Sequence, residues 1–270
     1  MINVNNFSAI NNEVIEAIDE AFKAVIDSSP RENEVLLFLA NAHLNKSFIG
    51  SSINPYVIDY RVDSLNDMDR LENLQEYLQD RYSFKDSNST DTRFSLSIEL
   101  MIYTHLWESK TFLKSLKNLA ILSGGNKHDW NIEVPNMGKH KFIREEIRDV
   151  FKGNGLKIHH VISKGFHSQL RNAFAHSEYS IALNEPQFNL LNYTNSPWGM
   201  EYISFDDWTE KFCYSLLLNW RLLEKISALR QLLQEGEPGY RVFLKDKLGE
   251  DVPGILLYHE GQDGFTGRLL

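Results

Sequence analysis

Apolar side chains return every three or four positions through two stretches of about thirty residues, Arg93 to Leu122 and Phe205 to Leu233, and no proline interrupts either. Residues at that interval share one face of an α-helix, so each stretch predicts a long amphipathic helix that must bury its stripe against other helices. In the first, Ile102, Leu106, Leu113, Leu116 and Ala120 form the stripe, and Gly124-Gly125 stops it. In the second, Ser204 with Asp207 three positions on caps the start, and GEPG closes the end. A chain that is 42% hydrophobic and 24% charged has the make-up of a folded protein, with no compositional case for disorder or collagen. The fold class that follows is mainly α, a helical bundle.

Shorter elements fill in around these two. Asn11 to Asp27 carries Ile10, Val14, Ala17, Ile18, Ala21, Phe22 and Val25 at helical spacing, and Glu34 to Leu44 is a short apolar segment that fits a helix. Tyr56 to Val62 alternates like a strand, and Ser64 caps a helix from Leu65 to about Tyr82. The polar tract Lys85 to Thr92 divides an N-terminal α(+β) region, residues 1–89, from the bundle at 90–235. Within the bundle, Lys139 to Phe151 reads as a helix, Gly153 to Gly155 as a turn and Lys157 to Glu178 as a longer helix. Tyr179 to Tyr193 reads as a small β-hairpin around Asn184 to Pro186. The tail, 236–270, mixes short apolar runs with Gly and Pro and has no clear period.

Several function classes fall away. Cys213 is the single cysteine, which leaves no internal disulfide and fits a reducing compartment. The N-terminus has no basic segment followed by an apolar run, and no stretch approaches the roughly 20 apolar residues that span a bilayer, so a cytoplasmic protein with no membrane partner is expected. There is no Walker-type GK[ST] after GNG or GGNK, no HExxH, no GxSxG and no CxxC. His140 and the pair His159-His160 are expected at the surface rather than on a metal, since neighbours on a helix diverge by about 100°. No cofactor is expected. A net charge of −9 argues against a general nucleic-acid binder. Its distribution is uneven, however, because the segment from Lys139 to His176 holds eight Lys and Arg against three Asp and Glu, leaving −14 for the remainder. Five of the nine histidines also fall there. A charge run of this kind is most simply a solvated helix face.

On the predicted helix from Lys157 to Glu178, Ile162, Phe166, Leu170, Ala173 and Phe174 form the buried stripe. The other face carries Ser168, Asn172 and His176 in one row, with Lys164, His167 and Arg171 beside it. An imidazole titrates near neutral pH and serves as general acid or base, while a guanidinium offers a fixed fork of donors to phosphate oxygens.

The segment RNAFAH, Arg171 to His176, resembles the HEPN family, helical bundles marked by an Arg, an adjacent polar residue and a His after four to six intervening positions. SEYSI after it and ISFDDW at the last long helix share the family's look, and the resemblance spans about Arg93 to Leu233. It implies a HEPN-like bundle and metal-independent RNA cleavage, in which a 2′-hydroxyl attacks the adjacent phosphate and leaves a 2′,3′-cyclic phosphate. His176 would then move the proton, Arg171 would stabilise the phosphorane and Asn172 would orient either partner. Lys164, His167 and Ser168 are the expected substrate-binding residues. Five helical positions turn about 140° and rise about 7.5 Å, so one Arg171 and one His176 of the same chain are poorly placed to grip one phosphate. A homodimer with a composite cleft, which the resemblance also implies, would answer that.

Blander readings stand beside these. Arg171 fits a surface or interface ion pair, and His176 fits a cation near a helix C-terminus. From another class comes a non-catalytic HEPN-like dimer that binds a partner protein or nucleotide through the same cleft. A toxin restrained by an antitoxin, or a phage-defence role, is compatible with the enzyme reading.

Overall fold

The computed structural model describes residues 4–28, 34–59, 76–77, 92–193, 199–236 and 238–270. The expected helix from Leu65 to Tyr82 lies outside them except for Glu76 and Tyr77, as do the end of the expected strand, 60–62, and the boundary tract before Thr92. The described chain is mainly α, with small antiparallel sheets.

Helix α1, Val4–Ser28, buries Ile10, Val14, Ala17, Ile18, Ala21, Phe22 and Val25, the stripe its sequence predicts. Helix α2, Glu34–Leu39, is shorter than its apolar segment, because the chain turns at Asn41 with a left-handed φ of 48° into strand β1, His43–Leu44. Strand β1 pairs with β2, Tyr56–Val57.

The stretch from Arg93 to Leu122 is two helices, α3, Arg93–Glu108, and α4, Lys110–Ser123. Ser109 separates them with extended backbone, φ −61° and ψ 116°, and its hydroxyl accepts the N–H of Phe112, so it caps the second helix as it ends the first. The apolar stripe continues across the break, which is why periodicity alone reads one helix. Gly124-Gly125 ends α4 as expected, with Gly125 at φ 76°.

The next helical passage covers α5, Lys139–Lys141, a π-helical segment, Phe142–Arg148, and α6, Asp149–Gly153. Its turn is fastened to α4 by Asn154, whose amide donates to Ala120 O at 3.1 Å and Ser123 Oγ at 3.2 Å.

The expected helix from Lys157 to Glu178 is also broken, into α7, Ile158–Gly165, and α8, Ser168–Ala175. A buried hydroxyl holds the break. Tyr103 of α3 donates to Gly165 O at 3.1 Å and accepts the N–H of His167 at 3.0 Å, supplying partners that a continuous helix would have found within itself. Gly165 lies so close to the last long helix that a Cβ there would meet Ser215 Oγ at 2.9 Å.

Strands β3, Tyr179–Ala182, and β4, Gln187–Leu190, form the predicted hairpin, and β5, Tyr202–Ser204, adds a third strand beside β4. Helix α9, Phe205–Gln231, follows directly, capped by Ser204 on the N–H of Asp207. Helix α1 packs on α4, α7 and α9, and α3 packs on α8 and α9, so the N-terminal helix shares the core of the bundle. The tail, whose sequence shows no clear period, forms β6, Tyr240–Lys245, β7, Asp251–His259, and β8, Gly264–Leu269, in an antiparallel meander. Asp59 anchors it, accepting from Arg230 at 3.0 Å and from the N–H of Phe265 at 2.9 Å.

Candidate active site

Helix α8 is held from behind by aromatic packing. Leu170 and Ala173 are fully buried, and the Phe174 ring meets Trp208 at 5.0 Å, Tyr179 at 5.3 Å, Phe188 at 5.8 Å and Tyr103 at 6.1 Å. Edge-to-face contacts of this kind fix ring orientation beyond what burial alone does. Trp208 is itself pinned by the buried Glu99 carboxylate, which accepts its indole N–H at 2.9 Å and the Tyr77 hydroxyl at 3.0 Å. The opposite face of α8 is thereby fixed toward the outside.

On that face Arg171 and Asn172 are half-buried and His176 is exposed. Arg171 Nη1 donates to Asn172 Oδ1 at 2.8 Å. His176 caps the helix, its backbone N–H bonding to Asn172 O at 3.0 Å, and Ser177 follows at a left-handed φ of 57°. Among the described residues no side chain holds the His176 imidazole. Arg, amide and imidazole are thus brought to one short helix and its cap, and the row Ser168, Asn172, His176 survives on it.

The other half of the Arg171 guanidinium is occupied. Its Nη2 is ion-paired with Glu108 at the end of α3, and the same carboxylate pairs with Lys139 of α5, which also reaches Glu108 O at 3.4 Å. Lys139 is 8% exposed, and burial pushes its amine down from the usual lysine range, as burial also lowers Arg171. One carboxylate therefore sits between two partly desolvated cations. The sequence reading anticipated an ion pair for Arg171 without its partner. Periodicity places Glu108 inside a continuous helix and gives it no signal of its own, although Ser109 ahead of a new apolar run marks the break beside it.

Two expected substrate-binding residues go elsewhere. Lys164 is on α7, before the break, where its amine bonds to Glu13 at 2.7 and 2.8 Å and to the Tyr214 hydroxyl at 3.0 Å. Burial alone would lower that amine, and the Glu13 and Tyr214 contacts outweigh it and raise it. His167 precedes α8 with its Nδ1 buried and unpartnered, and burial, with the nearby Lys211, pushes its pKa down. The break separates Lys164 from Arg171, whereas His167 is the N-cap of α8, one turn before Arg171, its carbonyl accepting the Arg171 N–H at 3.1 Å.

His159 and His160 do not diverge as expected: their rings lie 3.8 Å apart at 38°, with His159 Nδ1 2.6 Å from Leu156 O. Among the described residues no cluster of three or more His, Cys, Asp or Glu is arranged to hold a metal, and no helix is long and apolar enough to cross a membrane. The chain matches no family model, no curated protein and no solved structure.

Proposed function

We propose that this chain is a metal-independent endoribonuclease of the HEPN type, with a HEPN-like bundle, acting as a cytoplasmic homodimer on RNA. The observation that carries the reading is that Arg171 and Asn172, hydrogen-bonded to each other, and the exposed His176 stand on one short helix and its cap, backed by an aromatic core. His176 takes the 2′-hydroxyl proton or returns one to the leaving 5′-oxygen. Arg171 meets the charge that builds on the phosphorane, and Asn172 orients the guanidinium. DNA, lacking the 2′-hydroxyl, is spared. The net positive charge of Lys139 to His176, against −14 for the remainder, makes that segment the favoured side for phosphate. A toxin or phage-defence role, with an antitoxin or regulatory protein as partner, accords with such an activity.

The test is incubation of the purified chain with total RNA in EDTA beside His176→Ala. Fragments ending in 2′,3′-cyclic phosphate from the wild type, falling roughly 10²- to 10⁴-fold in the variant, are the expected result. Equal cleavage by both would remove His176 from the mechanism. Intact RNA from a folded wild type would favour the second reading, a HEPN-like dimer that binds a partner protein or nucleotide without cutting. The ion pair that occupies Arg171 favours that reading too, since the guanidinium is not standing free.

A further inference from the structure

Arg171 cannot hold a phosphate with the face it already gives to Glu108. We infer that Glu108 is a gate on the Arg171 site: its carboxylate occupies the guanidinium until an RNA phosphate displaces it, and Lys139 keeps the released carboxylate paired. The inference rests on the reading of Arg171 as a phosphate-binding residue.

The geometry carries the argument. Glu108 and an incoming phosphate are both planar or tetrahedral oxyanions competing for the same fork of donors, and a guanidinium rewards either with a charge-assisted pair. Glu108 stands at the last position of α3, before the break at Ser109, and it reaches Arg171 of α8 and Lys139 of α5 together. A carboxylate this withdrawn, left without a cation, would be costly, and a simple Glu–Arg pair would therefore resist opening. Lys139 changes that balance. Its amine stays on Glu108 by both the carboxylate and the backbone carbonyl, so Arg171 can turn to phosphate without orphaning the acid. Asn172, bonded to the other guanidinium nitrogen, keeps the fork near α8 through the exchange. Closed, the site presents a neutralised arginine; opened by a phosphate, it presents the charge that the chemistry needs.

The signs of three substitutions follow. Glu108→Gln removes the competing charge and strengthens phosphate binding. Lys139→Gln leaves Glu108 to Arg171 alone and weakens it. In the Glu108→Gln background Lys139→Gln has no further effect, since Lys139 acts through Glu108 and not on the phosphate.

Binding is read in EDTA by fluorescence anisotropy with a short 2′-O-methyl RNA of mixed sequence, which cannot be cut, so the result does not depend on catalysis. Glu108→Gln should bind roughly tenfold tighter than wild type, an effect of the size expected for one charge-assisted contact freed for the ligand. The gain should vanish in Glu108→Gln/Arg171→Ala. A gain that persists without Arg171 is general electrostatics and overturns the gate, as does unchanged or weaker binding in Glu108→Gln. Glu108→Asp, which keeps the charge and shortens the reach, should also bind tighter, and it decides the matter if Glu108→Gln does not fold; unchanged or weaker binding by it overturns the gate. Should the binding pattern hold while neither wild type nor variant cuts RNA, the gate stands and the ribonuclease reading falls.

Discussion

His128 illustrates how one side chain sets a pH limit on the fold. Its Nε2 lies 2.8 Å from Ala42 O, its backbone N–H donates to Glu34 at 2.8 Å, and its Nδ1 is buried without a partner. Burial opposes a charged imidazole, which pulls the pKa down from 6.5 to about 4. Between those values the unfolded chain binds a proton that the folded chain refuses, so stability is full above pH 6.5 and falls as pH drops toward 4. At about 1.36 kcal/mol per unit, the loss between pH 7 and 4.5 is about 2 kcal/mol. His128→Gln keeps a donor for Ala42 O and cannot titrate. Urea unfolding across that range should show the wild type's advantage over the variant shrinking by about that amount as pH falls. A constant difference would mean that His128 does not titrate in this window. His176 is the contrast, since an exposed imidazole can be replaced with little change in stability, so His176→Ala tests the proposed chemistry without loss of the fold.

At the scale of elements, what the sequence disclosed was where helices end by their own residues. Ser204 with Asp207, Gly124-Gly125 and the turn at 183–186 act locally, and each stands where the sequence places it. The two breaks inside apparently continuous helices were not legible, because their stripes run on unbroken and the cause of one is a residue of another helix. Tyr103 holds the kink between α7 and α8 with a single hydroxyl, and its burial raises its own pKa, so it remains a protonated donor. The same kink takes Lys164 to Glu13 and leaves Arg171 to Glu108, which is why the Arg–Asn–His motif was visible in sequence and its neighbours were not. The meander was not legible as an alternation, since Val242-Phe243-Leu244 on β6 and Ile255 to Tyr258 on β7 are unbroken apolar runs, and only the structure shows Val242, Leu244, Leu256 and Tyr258 turned inward and their neighbours less buried. Tyr103→Phe should therefore cost about 2 to 3 kcal/mol in urea unfolding, since it strands the Gly165 carbonyl and the His167 N–H. It should also speed hydrogen exchange at His167. Unchanged stability and exchange would mean that the kink does not depend on that hydroxyl.

At the scale of the whole molecule, the distribution of charge and the shape of the motif lead to the same requirement. On the proposed reading, a single basic segment in an otherwise acidic chain would give one copy little grip on RNA. Arg171 lies within α8 and His176 at its cap, so the two stand at different turns of one short helix, whereas a two-fold axis through this face would set the Arg171 of one protomer against the His176 of its partner. That arrangement makes a prediction no monomeric site shares. Arg171→Ala and His176→Ala homodimers should each be inactive on RNA, but mixing them under conditions that exchange subunits yields heterodimers in which the surviving Arg and the surviving His sit on different chains. If the working pair is made across the axis, the mixture regains activity, up to roughly a quarter of the wild-type level, because random exchange of equal pools makes about half the dimers mixed and each of these restores one of its two pairs. If Arg171 and His176 work within one chain, no mixture regains it, because neither chain holds both. Light scattering on each pool and on the mixture verifies that dimers are present and exchanging, so a failure to complement would count against the composite cleft and leave the chemistry of the motif to the cleavage assay.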